Sequence, residues 1–272
     1  MRLYLETSSL RFLGRRIINI PNVFTSFLSL FELISGLTDE DFSQRKSIIR
    51  YVLDSKMPID WDSPEALYAS AFPVFPVISQ EELRTNSMRS IFEMILSSSN
   101  SREVKEKSRH LEFDLEYFQK YDSIYSTRFL IAGEKGIQET KQIASIDPAQ
   151  KNILDNLNTS LWNFNYASTL YAIAKGCASA IGDDNGNKED IIKDIYNSYN
   201  GKIDFYVAAF SYYSANQLSL SQFSGKNDAF DIMHFLYLRN DPTVVIVSND
   251  RLISKISMKI FQNNFKTPDE II

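Results

Sequence analysis

The chain has 272 residues, enough for one domain with an insertion or for two. With 44% hydrophobic and 23% charged residues it is neither a disordered chain nor a membrane-embedded one, and its single cysteine excludes an intrachain disulfide framework and a cysteine-rich zinc site. A formal charge of −5 and no basic stripe along the sequence argue against a protein that grips a long duplex.

In chain order, Arg2 to Glu6 reads as a buried strand ending on an acid. Thr7, Ser8 and Ser9 offer helix caps, and Leu10 to Gly14 reads as one short helical turn closed by the glycine. Ile17 to Pro21 reads as a weak strand or a loop. Phe24, Phe27, Leu28, Phe31, Leu33 and Ile34 recur at helical spacing up to Gly36. Asp39 and Glu40 open a further helix with Ile48, Ile49, Val52 and Leu53 on one face.

From Met57 to Pro76, four prolines predict a packed irregular segment. Glu81 to Leu96 is helical, Ser97 to Ser101 a turn, and residues 102–145 a helix pair with a solvated charged face that includes His110. Pro148 begins a helix running through Leu170, and the same stretch continues into Cys177, read as a packing residue. Asp183 to Asn187 is a turn lacking the closing Glu of a calcium loop. Helices follow from Glu189, over Ile203 to Tyr213 and over residues 228–239; then come a strand at 244–248, a helix at 251–262 and a tail with a weak strand. The aromatic side chains of Phe205 to Tyr213 read as a core face rather than a base-stacking surface.

Strands at both ends and helices between them predict an α/β fold whose central, mostly parallel sheet is interrupted by a large helical insertion. The expected core is residues 1–40 plus 200–272, with the insertion at 41–199. No signal-peptide layout and no apolar run of bilayer length is visible, so the expected compartment is a reducing cytoplasm, with no membrane partner.

Acids stand where open α/β sheets place their sites. Glu6 follows the first strand, Asp250 follows the apolar run Val244 to Val247, Asp228 and Asp231 are one helical turn apart, and Glu32 lies in an apolar helix beside Ser29. Taken singly, Asp228 reads better as a helix cap with Asp231 as a first-turn acid, and Asp250 reads at least as well as a cap. Together the five supply hard oxygen donors for two-metal phosphodiester chemistry. Lys226, Arg251 and Lys255 are nearby cations with ordinary surface roles, and His234 reads as a satisfied helix histidine.

The order Glu6-Thr7-Ser8, Ser29-x-x-Glu32, Asp228-x-x-Asp231 and Ser248-Asn249-Asp250 resembles the PIN-domain nucleases, as does the tail Phe265 to Ile271. That resemblance covers roughly the first forty and last fifty residues. It implies a PIN-like three-layer core and a Mg²⁺- or Mn²⁺-dependent nuclease, an endoribonuclease ahead of a DNA-cutting enzyme, with a toxin or defence effector held by an inhibitory protein as one form. Glu6 would be the first acid, Glu32 the second, Asp231 or Asp228 the third and Asp250 the fourth, all as catalytic metal ligands. The family's first acid is normally Asp, Ser248 stands where Thr is common, and the insertion is large. Glu6 therefore speaks for an alternative, an inactive scaffold of the same fold whose helical insertion binds a partner. An aspartyl-nucleophile hydrolase is a third reading, and Glu6 fits it badly.

Overall fold

The computed structural model describes residues 1–75, 80–124, 126–127, 160–181, 188–220, 225 and 227–272. Two compact units divide the chain: Met1–Pro64 with Ile78–Tyr125 and Asp241–Ile272, and Glu65–Val77 with Ser126–Asn240. Residues 78–125 thus belong with the two ends of the chain, and residues 204–240 belong to the other unit.

The first unit is built on a five-stranded sheet ordered β3-β2-β1-β4-β5, with every pairing parallel. Its strands are β1 (Arg2–Leu5), β2 (Val23–Ser26), β3 (Ile59–Asp60), β4 (Val244–Val247) and β5 (Phe265–Lys266). Strands β2 and β4 are buried at every position, the pattern of a parallel sheet covered on both faces. Leu5 pairs with Val247, so the carboxyl ends of β1 and β4 lie side by side. The chain winds from β1 out through β2 to β3, then returns to β4 on the other side of β1. The order therefore reverses between β1 and β4, which is where open α/β sheets form a crevice.

Helices α1 (Thr7–Leu13), α2 (Phe27–Ser35), α3 (Phe42–Asp54), α5 (Glu81–Ser97), α6 (Ser101–Ser108), α7 (residues 115–124) and α12 (Arg251–Ile260) belong to this unit. Helix α4 spans Pro64–Ala71 and, from Glu65 on, belongs to the second unit. Gly14 ends α1 at φ 51°, ψ −127°, a backbone state that glycine takes without strain. A 3₁₀ turn over Gly14–Asn19 then leads towards β2. Arg45 closes α2: one guanidinium nitrogen donates to the Glu32 and Leu33 carbonyls at 2.8 and 3.1 Å, and Nε pairs with Asp41.

Several expectations change. Val23–Ser26 is a strand, not the start of the helix, and Ile17 to Pro21 holds a 3₁₀ turn rather than the second strand. Ser26 makes the switch, because its hydroxyl accepts the Ser29 N–H at 3.2 Å and starts α2 there. The proline-rich segment contains β3 and α4. Of the apolar face expected on α3, Ile48, Ile49 and Val52 are buried and Leu53 is exposed. Within 102–145, the described part forms α6, a turn and α7. The expected helix start at Pro148, the turn at Asp183 to Asn187, and Lys226 lie outside the described residues.

The second unit contains α8 (Ser160–Ile181), α9 (Lys188–Asn197), α10 (Asp204–Leu220) and α11 (Asp228–Met233), the last tightening into a 3₁₀ turn over His234–Leu238. Tyr206, Tyr212 and Tyr213 of α10 are buried, as a core face requires. Tyr68 and Tyr206 share a 2.8 Å hydrogen bond, and Asp204 accepts from Tyr166 and Tyr199 at 2.6 and 2.7 Å. Burial pushes the Cys177 thiol up to about 11, the behaviour of a packing residue and not of a nucleophile.

Candidate functional site

At the carboxyl edge of the sheet, β1 delivers Glu6, which is only 2% exposed. Contrary to expectation, neither Ser8 nor Ser9 caps α1; Glu6 does. Its carboxylate accepts the Ser8 N–H at 2.6 Å, the Ser9 N–H at 3.0 Å and the Ser8 hydroxyl. Two backbone amides and the Ser8 hydroxyl satisfy a buried carboxylate that would otherwise be costly.

The capped serines tie the neighbouring strand in. Ser8 Oγ accepts the Asn249 N–H at 3.0 Å, and the Ser9 hydroxyl donates to the Val247 carbonyl. Asp250 then caps α12, its Oδ1 accepting the Leu252 and Ile253 amides at 2.7 and 2.9 Å. The Asp250 amide in turn donates to Ser248 Oγ at 2.9 Å, fixing the bend between β4 and α12. Among the described residues, Oδ2 of Asp250 takes no hydrogen bond, and the residue is only partly buried.

Glu32 joins the same edge through Thr7, whose hydroxyl donates to Glu32 Oε2. Behind this contact, the Tyr4 phenol meets Ser26 Oγ at 2.7 Å and Ser29 Oγ at 3.4 Å. Burial holds the Tyr4 pKa well above its ordinary value; hydrogen bonds from Ser26 and Ser29 offset part of the rise, and the charges of Glu6 and Glu32 add to it. A raised folded pKa means that the stabilisation is complete below about pH 10 and is lost as the unfolded chain ionises above it. Urea unfolding at pH 9 and pH 11 should therefore show an alkaline loss of stability that is smaller in Tyr4→Phe than in the wild type. Buried Tyr206, whose pKa burial pushes up to about 12, keeps the slope from vanishing altogether.

The structure thus brings Glu6, Glu32 and Asp250 to one edge through the Thr7, Ser8 and Ser9 hydroxyls. Asp228 and Asp231 lie on α11 in the other unit. Asp228 is not the cap of α11, a position held by Asn227 without a side-chain bond. Its Oδ2 accepts the Tyr213 hydroxyl and the Gly225 N–H, both at 2.7 Å. Arg251 and Lys255 are exposed on α12, His110 is exposed, and His234 is buried.

Sequence reasoning missed Tyr4 and Arg11 in this neighbourhood. Tyr4 was hidden inside an apolar run, where an aromatic reads as core. Arg11 reaches solvent although neighbouring atoms desolvate it in part; that desolvation and Arg45 pull its pKa down, while Glu32, Asp41 and Glu6 pull it up. It is a cation set among the acids.

Among the described residues, no three or more His, Cys, Asp or Glu side chains are gathered closely enough to hold a metal ion. The donors at the edge are all oxygens, and Mg²⁺ is commonly held by one or two carboxylates with waters and substrate phosphate completing its shell. Asp250 with its unengaged Oδ2 and partly exposed Glu32 fit that role; Glu6, buried and fully engaged by its own helix, does not. No helix of the described residues is long and apolar enough to cross a membrane. The chain matches no family model, no curated protein and no solved structure.

Proposed function

We propose that this protein is a divalent-metal-dependent hydrolase of phosphodiester bonds, acting on RNA in preference to DNA, in the manner of the PIN-domain nucleases it resembles. One observation carries the reading: Asp250 follows β4, and Glu32 is linked through Thr7 to the carboxyl end of β1, the two strand ends lying side by side where the sheet order reverses. That is the position at which open α/β sheets bind and transform ligands.

Glu32 and Asp250 would hold Mg²⁺ or Mn²⁺. When bound, the cation activates water and offsets charge on the phosphoryl oxygens. Asp250 orients itself through Oδ1, which α12 holds, so that Oδ2 stays directed by the helix rather than by a free rotor. Thr7 orients Glu32, and Glu6 fixes the start of α1 so that Thr7 and Ser8 keep their places. Arg11 supplies positive charge beside the acids for an anionic substrate.

The scaffold alternative rests on one specific observation, the full engagement of Glu6 as a helix cap. Incubation of the purified chain with end-labelled single-stranded and structured RNA decides between them. Cleavage with Mn²⁺ and none with EDTA is expected; intact RNA under both conditions would reject the nuclease and leave the scaffold.

A further inference from the structure

Between Glu6 and Glu32 the chain carries three arginines and no acid, in a protein whose overall charge is −5. Arg11, Arg15 and Arg16 are all exposed, on α1 and the 3₁₀ turn that follows it. None of the three takes part in an ion pair among the described residues. Phe12 lies among them with 39% of its surface exposed. The Arg16 guanidinium sits 5.1 Å from the Phe12 ring centre and donates to the Phe12 carbonyl at 3.1 Å, so ring and cation form one platform. Arg11, on the same helix, is within electrostatic reach of Glu32 and Glu6.

Exposed cations interleaved with an exposed aromatic are what a single strand needs: charges for phosphates and a flat face for a base. The net charge of the whole chain conceals this local excess. We infer that Arg11, Arg15, Arg16 and Phe12 form a binding surface for single-stranded nucleic acid that leads to the carboxylate edge. The inference deepens the nuclease reading and rests on it for the placement of the substrate.

Fluorescence anisotropy of a labelled twelve-nucleotide uridine RNA, in EDTA so that no metal is present, tests it. Replacing the three arginines together with glutamine should weaken binding about tenfold or more at low salt. It should also lower the slope of log affinity against log salt by about 2, since each phosphate contact on a single strand contributes about 0.7. The triple lysine variant should bind within a few fold of wild type, which guards against a folding defect. Phe12→Ala should weaken binding with an unchanged salt slope, the mark of a lost stacking contact.

Wild-type affinity and slope in the glutamine variant would overturn the inference. So would equal binding of the wild type to polyglutamate or to anionic vesicles, or no RNA binding at all. Because metal is absent, the two readings fail separately: RNA bound here but never cleaved in Mn²⁺ rejects only the nuclease, and RNA cleaved without engaging these side chains rejects only the surface.

Discussion

Asp250→Asn should abolish Mn²⁺-supported RNA cleavage while leaving the fold almost unchanged. The two halves of this result come from the two oxygens of one carboxylate. Oδ1 accepts the Leu252 and Ile253 amides and starts α12. Asparagine caps helices about as well as aspartate, so its side-chain oxygen keeps that duty. What is lost is the negative charge and the second oxygen, which is the one proposed to face the cation. Losing a charged ligand should lower the cleavage rate by roughly two orders of magnitude or more. Asp250→Ala would differ in a telling way, because it also removes the cap and should cost about 1 kcal/mol of stability. Urea unfolding and the RNA assay, run side by side on both variants, separate cap from ligand. Full cleavage by Asp250→Asn would remove Asp250 from the chemistry.

The second large effect is on stability. Glu6→Gln should destabilise the protein by about 2–3 kcal/mol, because a buried group loses charge-assisted bonds and gains an unmatched donor. Glu6 accepts two backbone amides and the Ser8 hydroxyl. A glutamine offers one acceptor oxygen and turns its NH₂ towards groups that are themselves donors. Loosening Ser8 and Ser9 would also weaken their bonds to Asn249 and Val247, and with them the seam between β1 and β4. The midpoint of urea unfolding should fall with an unchanged slope. An unchanged midpoint would show that Glu6 has no structural duty and return it to the list of free ligands.

These two carboxylates show where sequence reasoning reached and where it stopped. The strands carrying them were legible because Arg2 to Leu5 and Val244 to Val247 are short apolar runs bounded by polar residues. The exchange of roles at Glu6 was not legible. Thr7, Ser8 and Ser9 are all good caps, and nothing local says that the acid in front of them will take the amides while the serine hydroxyls turn to another strand. For Asp250 the cap was foreseen as the plain alternative, and the structure shows that cap.

Strand β2 was missed for a different reason. Phe24, Phe27 and Phe31 have helical spacing, and no glycine or proline separates Val23–Ser26 from Phe27–Ser35. Only the Ser26 hydroxyl marks the change, and one serine is a weak signal against an unbroken apolar pattern. Strand β3 is two residues long, too short to carry any periodicity. Arg11, Arg15 and Arg16 escaped notice because total charge averages them against acids elsewhere in the chain.

The central claim is that Glu32 and Asp250, at the carboxyl edge of the sheet, hold a divalent cation. Titration calorimetry of Mn²⁺ into the full chain, wild type beside Glu32→Gln, tests it most directly. The account predicts saturable heat for the wild type and a clear loss of affinity when Glu32 is neutralised. Identical isotherms for the two proteins, or no heat from either, would contradict it.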